Sequence, residues 1–229
     1  VARVVLEAQS PLMIAGGGDD PLLDVLLVRD VNGFPTIPAT GLVGALRAEL
    51  DLEDANRIFG YQNGDEGQRS KIAFSDGLYH LDDDRPKDGI SFASQETNGP
   101  VAALGLADSP VTREHVRIDG FGVVDGDGKF QRSAVAIGSR FTVEMTSTGN
   151  EADFFLVLET IKKGLWLGGA TRAGYGQIAC IKWGSDSFNL LNDFKKFKKF
   201  SRRDLADSPL ELVVNKNATA SRRWAVKGK

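Results

Sequence analysis

Hydrophobic residues recur along this chain in the patterns of a mixed α/β protein. Alternating or continuous apolar residues predict strands, which we place at residues 2–9, 71–81, 141–145 and 177–183. Helical spacing predicts two helices, one over residues 41–52 with Thr40 as its N-cap and one over residues 150–163. The resulting order of strand, helix, strand, strand, helix, strand is that of the α+β ferredoxin-like (RRM-like) fold, βαββαβ. Because this fold supports many functions, it indicates none by itself.

A long insertion at about residues 82–118 interrupts this order. Residues 82–115 are rich in Asp, Gly and Pro and lack a clear period, so we expect a loop or an extended hairpin there. Further along, apolar segments flank Asp-Gly-Asp-Gly at residues 125–128, and this predicts a hairpin turn at those four residues. Residues 195–200 are helical or extended by pattern. We divide the chain into one domain, residues 1–184, and a C-terminal extension, residues 185–229.

Composition narrows the class of protein. With 229 residues and 41% hydrophobic content, the chain is long enough to bury a real core. Its one cysteine excludes an internal disulfide and favours a reducing compartment, so we expect a cytoplasmic protein. His80 and His115 are far apart, and we expect no zinc site. Because neither an apolar run of about 20 residues nor a secretion signal is evident, we expect no membrane partner.

Charge is unevenly distributed along the chain. The net charge is −3, which argues against a general nucleic-acid coat. Residues 195–229 carry eleven Lys/Arg and three Asp/Glu, a net +8, whereas residues 1–194 carry 17 and 28, a net −11. The basic tail either contacts phosphate or is a solvated segment that aids solubility.

A glycine-rich run, GGATRAGYGQ at residues 168–177, is the first candidate site. Its glycines let backbone approach a ligand closely or adopt positive φ, and Arg172 can contact phosphate. Tyr175 can stack on a base or fill the core. A dinucleotide-binding loop follows a strand and opens a helix, whereas here a helix precedes and a strand follows, so we exclude that motif. A plain helix-to-strand turn is the alternative.

The start of the first predicted helix is the second candidate. Backbone N–H groups at Thr40 and Gly41 and the positive end of the helix dipole favour an anion. Arg47 lies about two turns further along and can reach a phosphate. Ordinary capping, with Arg47 in a surface ion pair, is the alternative.

A group of aspartates near the amino terminus is the third candidate. They are Asp19, Asp20, Asp24 and Asp30. Carboxylates in a loop beside RNA can bind a divalent ion or aid proton transfer at a ribose 2′-hydroxyl. Acidic residues in loops also serve simply as soluble turns.

Two of these segments together resemble the RAMP superfamily, and most closely the backbone subunits of type III CRISPR effector complexes. The segments are IPATGLVGALR and GLWLGGATRAGYGQI, which resemble the family's Ile-Pro-Gly-Ser-Ser and Gly-Gly-x-x-x-Arg-Gly-x-Gly motifs. FGYQNGDEGQRSKIAFSDG and HVRIDGFGVVDGDGKFQRSAVAIGSRFTVEM resemble its middle passages. The resemblance spans about residues 2–183.

The resemblance implies a role in RNA-guided RNA binding. It implies that guide crRNA runs over the sheet face and is held by the first-helix region and the glycine-rich loop. The residues it assigns to RNA are Thr40, Gly41, Arg47, Gly168, Gly169, Arg172, Gly174 and Tyr175. It implies that a thumb hairpin wedges the guide–target duplex, with His115 and residues 85–115 as candidates. Other effector subunits and complementary target RNA are the further partners implied.

The resemblance also implies RNA cleavage by a loop aspartate with a divalent metal, Mg or Mn. Asp24 stands six residues before Asp30, as the family's pattern places its catalytic aspartate, so Asp24 is the catalytic and metal-binding candidate and Asp30 a structural residue of the turn. Some family members lack the aspartate and act only as scaffolds. A metal-independent endoribonuclease that processes guide RNA is the remaining alternative.

Departures from the family's motifs concern the RNA contacts. The usual Pro-Gly-Ser-Ser is Pro38-Ala39-Thr40-Gly41 here, and Val43 replaces the usual lysine. One guide contact is therefore missing or replaced, for example by Arg47 or the basic tail. The glycine-rich loop has one residue more between Arg172 and the next glycine than the family's pattern.

Overall fold

The computed structural model describes most of the chain. The described residues are 1–16, 26–81, 85–86, 88–89, 111–118, 120, 123–189, 191–201 and 212–216. For residues 26, 111–118, 124–131 and 198–201, the description covers the backbone alone. The strands are β1 (Ala2–Ala8), β2 (Ala15–Gly16), β3 (Leu26–Leu27), β4 (Tyr61–Asn63), β5 (Glu66–Gln68), β6 (Ile72–Phe74), β7 (Leu78–Tyr79), β8 (Val111–Ile118), β9 (Val124–Ala134), β10 (Arg140–Ser147), β11 (Leu165–Trp166), β12 (Gln177–Ser185) and β13 (Val213–Val214). The helices are α1 (Ala39–Glu49), α2 (Leu52–Phe59), α3 (Glu151–Lys163) and α4 (Phe194–Ser201).

A seven-stranded antiparallel sheet organises the molecule. Its order is β11–β12–β1–β10–β6, with β13 also paired to β12 and β7 also paired to β10. β1 is central, since Val4 lies opposite Val143 on one side and Trp183 on the other. The mixed α/β class expected from the sequence is therefore observed.

The main core lies between the sheet and the helices α1 and α3. Alternate residues of β1, among them Val4 and Leu6, meet Leu42 and Leu46 of α1 and the apolar face of α3 in one buried cluster. The period-2 and helical patterns of the sequence produce these faces. Together they set the helices on one side of the sheet.

The other face of the sheet carries paired charges. Arg3 is 1% exposed, and its Nε lies 2.7 Å from Glu144 Oε1. Glu7 is fully buried and lies 2.9 Å from Arg140. All seven residues of β1 are buried, so β1 offers no open surface on which RNA could lie. The expectation that guide RNA runs over the sheet face is wrong for this strand.

The first predicted helix has different bounds and a different cap. α1 begins at Ala39, one residue before Thr40, which makes no capping hydrogen bond, so the assignment of Thr40 as N-cap is wrong. Asp76 Oδ1 accepts the Ala39 N–H at 2.8 Å instead. The helix ends at Glu49, because Asp51 caps the separate helix α2 through the Asp54 N–H.

The second predicted helix and the last strand are confirmed with small changes of bounds. α3 begins after Asn150, whose side chain accepts the Asp153 N–H at 2.8 Å, and ends before Gly164 with φ 92°. β12 covers the predicted strand at residues 177–183 and continues to Ser185. The predicted strand at residues 71–81 is instead two short strands, β6 and β7, both paired with β10.

The predicted hairpin turn at residues 125–128 is wrong. β8 pairs with β9 from Val111↔Ala134 to Ile118↔Val124, so the chain reverses within residues 119–123. Residues 125–128 belong to β9 but have no partner in the register, which passes from Val116↔Lys129 to Ile118↔Val124. The greater part of the predicted insertion, residues 90–110, lies outside the described residues.

Residues of the C-terminal extension form α4 and β13. β13 pairs with β12 through Lys182↔Val214 and Trp183↔Val213. The division of the chain at residue 185 stays a prediction. No described helix has the length and hydropathy that a membrane span requires.

Candidate functional site

The glycine-rich loop between β11 and β12 has an unusual backbone. Gly168, Gly174 and Gly176 have φ of 84°, 82° and 88°, and Ala170 has φ 56°. Residues 171–173 form one 3₁₀ turn between them. Such φ values favour glycine because other residues lack a relaxed conformation there.

Backbone hydrogen bonds fix this loop on the segment after β1. Gly169 N–H donates to Met13 O at 2.8 Å, and Gly176 N–H donates to Pro11 O at 2.9 Å. A Cβ at Gly168 would lie 2.2 Å from Met13 O, and a Cβ at Gly176 would lie 2.2 Å from Leu167 O. Two of the glycines are therefore required by close approach as well as by φ.

The loop exposes some of the predicted RNA-binding residues and buries another. Arg172 and Gly174 are exposed. Tyr175 is 2% exposed and packs with Met13 and Ala134. Of the two roles considered for Tyr175, filling the core is therefore the one observed, and its ring is not available for stacking on a base.

A series of backbone hydrogen bonds connects this loop with the start of α1. Ile14 O accepts the Val28 N–H at 2.9 Å, and Val28 O accepts the Thr36 N–H at 3.2 Å. Together with the Gly169–Met13 bond, they link four neighbouring backbone segments side by side. Paired strands lie about 4.8 Å apart. β11 also contacts α1. The loop and the start of α1 therefore lie at the same end of the sheet, where β1 finishes and β12 begins.

The amino end of α1 presents two backbone donors. Asp76 and Pro38 accept the N–H groups of Ala39 and Leu42, whereas those of Thr40 and Gly41 have no acceptor within the described part of the chain. Thr40 and Gly41 are exposed. Free N–H groups at the positive end of a helix can bind a phosphate. The negative charge of the Asp76 carboxylate beside them weakens the attraction for a phosphate.

Arg47 is engaged elsewhere. Its guanidinium donates to Gly60 O at 2.8 Å, to Asn56 Oδ1 at 2.7 Å and to Ala55 O at 3.3 Å. It therefore satisfies carbonyl oxygens at the carboxyl end of α2 and fixes α2 against α1. The structure does not bring Arg47 to the site at Thr40 and Gly41.

Asp30 has the structural role in the turn that the sequence suggested. Its Oδ1 accepts the N–H groups of Asn32 at 2.8 Å and Phe34 at 2.9 Å. Asp24, like Asp19 and Asp20, lies outside the described residues, and its catalytic and metal-binding roles stay predictions.

His115, the thumb candidate, is described through its backbone. It stands in β8 opposite Phe130 of β9. Whether it contacts RNA stays a prediction.

Two residues at this end of the molecule escaped the sequence analysis. Asp76 caps a helix that begins 37 residues earlier, and no local pattern indicates such a partner. Trp166 is 48% exposed at the start of the glycine-rich loop, opposite Gln177. The run Leu-Trp-Leu before the glycines was a signal that an aromatic side chain would stand at the loop.

Comparison with known proteins gives one family and several similar folds. A family model described as the RAMP superfamily matches residues 5–179. No curated protein matches the chain. A type III-B Cmr-beta structure in the apo state has a TM-score of 0.60 at 15% identity, covering 78% of this chain and 95% of that one. At such identity the likeness is one of fold.

Two further structures have the same kind of likeness. The type III-B Cmr-beta bound to cognate target RNA has a TM-score of 0.57 at 14% identity, covering 78% of this chain and 96% of that one. A type IV-B CRISPR complex has a TM-score of 0.56 at 16% identity, covering 82% and 92%.

Proposed function

This chain belongs to the RAMP superfamily, and on that basis we propose that it is an RNA-binding backbone subunit of a type III CRISPR effector complex. Its partners in this proposal are a guide crRNA, complementary target RNA and other effector subunits. The fold shared with chains of the type III-B Cmr-beta complex supports the assignment. A cytoplasmic location belongs to the same proposal.

The observation that carries the proposal is that two segments suited to binding anions lie at the same end of the sheet and are connected through backbone hydrogen bonds. The glycine-rich loop exposes Arg172, and the start of α1 exposes the N–H groups of Thr40 and Gly41. Backbone donors and a guanidinium suit phosphate groups and carry no base preference. The sequence of the target is then read by pairing with the guide.

The sheet order also supports a finer description of the fold. β12, β1, β10 and β6 lie side by side with α1 and α3 on one face, which fits a ferredoxin-like core. The β8–β9 hairpin leaves this core between β7 and β10. In our proposal this hairpin serves as the thumb that separates the target strand from the guide.

We further propose that the subunit cleaves target RNA. The ribose 2′-hydroxyl attacks the adjacent phosphorus and its proton passes to Asp24, while the bond to the leaving 5′-oxygen breaks and that oxygen takes a proton from water, giving a 2′,3′-cyclic phosphate and a 5′-hydroxyl. A bound Mg or Mn ion would supply stabilisation of the charge on the phosphate oxygens. Asp30, bound to two backbone N–H groups of its turn, has no part in this step.

A scaffold without catalytic activity is the second candidate. The observation in its favour is that the described site offers the guanidinium of Arg172 and the N–H groups of Thr40 and Gly41. Such groups hold phosphate and do not transfer protons.

The assembled complex with Asp24→Ala separates the two candidates. We expect the variant to bind target RNA as the unmodified complex does and to leave it uncut, as judged on denaturing gels with Mg or Mn present. Continued cutting would remove Asp24 from the mechanism.

RNA recovered with the purified complex tests the assignment itself. A guide RNA of discrete lengths is expected. Cleavage of free repeat RNA by the isolated chain in a chelator would favour a guide-processing enzyme instead.

A further inference from the structure

Helix α4 concentrates positive charge beyond the region that defines the family. Its eight residues, Phe194–Ser201, include four lysines and no acidic residue. The helix follows the family match, which ends at residue 179. The family resemblance therefore assigns it no role.

α4 is held on the domain by specific contacts. Lys196 Nζ lies 2.6 Å from Asp186 Oδ2, and the ring of Phe197 meets that of Phe188 edge-on with centroids 5.7 Å apart. The hydrogen bond from Lys196 lowers the pKa of Asp186 and keeps it ionised. Lys196 is therefore engaged in an ion pair with the domain.

A second lysine of α4 faces solvent. Lys195 is exposed, and Phe194 beside it is 59% exposed. Lys199 stands four positions after Lys195 in the same helix. Lysines interleaved with an exposed aromatic residue suit phosphates and the faces of bases.

The position of α4 separates it from the site at the glycine-rich loop. β12 begins at Gln177, directly after the loop, and ends at Ser185, directly before the Asp186 that holds α4. Nine residues of strand span about 26 Å. Stacked nucleotides at ~3.4 Å each would cover this distance with about eight residues of RNA.

We propose that α4 is a second nucleic-acid contact, which binds phosphate groups of single-stranded RNA leaving the glycine-rich loop. This rests on the proposed function, because it requires RNA at the loop. The exposed ring of Phe194 beside Lys195 favours RNA over an acidic protein surface, since an aromatic ring can stack on a base while the lysine contacts a phosphate. The contact adds affinity without sequence preference.

Salt-dependent RNA affinity of the full chain tests the proposal. Lys195→Gln/Lys199→Gln removes two cations, and the slope of log K against log salt falls by about 1.4 for single-stranded RNA. We expect fluorescence anisotropy to show about 25-fold weaker binding of a 20-nucleotide polyuridine at 0.1 M KCl, converging near 1 M. A 4-nucleotide RNA, too short to span both sites, shows a much smaller loss.

Matched variants keep the result specific. Gln62→Glu/Asn63→Asp changes two exposed residues of β4 and shifts net charge by the same amount, and it should leave the salt slope nearly unchanged. Equal urea midpoints of all variants exclude unfolding as the cause.

The remaining outcomes decide between this inference and the proposed function. An unchanged slope in the lysine variant, with weaker binding by Arg172→Gln, would overturn the inference and leave the proposed function standing. If the lysine variant bound RNA as the unmodified chain does but its complex sedimented with a different mass, α4 would contact a protein partner. That result would also overturn the inference. No RNA binding by the unmodified chain in its complex would reject both.

Discussion

Single residues of the glycine-rich loop differ in what they require. Gly168 and Gly174 both have positive φ, but a Cβ would meet Met13 O at Gly168 and nothing within 4 Å at Gly174. Ala170 adopts the left-handed conformation, φ 56° and ψ 29°, without being glycine. The loop thus contains backbone strain at the residue next to the exposed Arg172 turn, as functional loops often do.

Alanine at the two glycines should separate φ strain from close approach. Gly174→Ala should lower the free energy of unfolding by about 1–2 kcal/mol through φ alone. Gly168→Ala should lower it by a further ~1–3 kcal/mol, because the Met13 carbonyl must move. Urea denaturation measures both, and equal losses would contradict the close contact.

Cys180 provides a pH-dependent term at the residue scale. Burial raises the pKa of this thiol to about 12. Because the unfolded chain loses the proton at about pH 8.5 and the folded chain does not, stability from this group is complete below that pH and falls by about 1.4 kcal/mol per unit as pH rises toward 12. Cys180→Ala should have a shallower loss of stability between pH 9 and 11 than the unmodified chain. Identical alkaline profiles, or rapid alkylation of the native thiol at pH 8, would argue against burial.

At the scale of elements, arginines join the helices. Arg47 of α1 holds the carboxyl end of α2, and Arg57 of α2 reaches Asp153 in the first turn of α3 at 2.8 Å. Asp153 is 2% exposed, and its Oδ2 has no hydrogen bond, with Lys71 Nζ 3.7 Å away. The orientation of α2 therefore depends on the Asp153 carboxylate, whose negative charge is balanced by Arg57 and Lys71.

Removing Arg57 alone should lower the stability of the fold more than removing the charges of both Arg57 and Asp153. Arg57→Met leaves the buried Asp153 carboxylate poorly compensated and should lower the free energy of unfolding, with the loss moderated because Arg57 itself is exposed to solvent. In the background of Asp153→Asn the same substitution should cost less than half as much. Chemical denaturation of the two single variants and the double variant gives the coupling energy, and additive effects would show that the pair is not coupled.

At the scale of the whole molecule, the sheet has two distinct ends. One end carries the glycine-rich loop and the start of α1, and the other carries α4 and β13. Asn215, 6% exposed, joins the C-terminal extension to the domain by donating to Lys162 O at 3.0 Å and Cys180 O at 2.9 Å.

Loss of this anchor should release β13. Asn215→Ala leaves the carbonyl groups of Lys162 and Cys180 without these donors, at a cost of about 1–3 kcal/mol in all, and should raise hydrogen exchange at residues 213–214. The neighbouring exposed Lys216→Ala serves as the control and should leave exchange unaltered. Protection that persists in Asn215→Ala would show that strand pairing alone holds the segment.

Sequence predicted those parts of the fold that local chemistry decides. The strands β1 and β10, the helix α3 and the glycine-rich turn before β12 are all encoded within a few residues. Thr40 and residues 125–128 carried equally good local signals and were misassigned. At Thr40 a partner distant in the chain prevailed, because Asp76 caps the helix. At residues 125–128 the pairing of Ile118 with Val124 puts the reversal of the chain before the Asp-Gly repeat.

By itself, the sequence determined the mixed α/β class, the central strands and the candidate segments for binding phosphate, because periodicity and glycine content act over short distances. The tertiary structure decided that the loop and the start of α1 lie at one end of the sheet, that Tyr175 fills the core and that Arg47 binds α2. These depend on hydrogen bonds and burial between residues far apart in the chain, for which no short-range pattern exists.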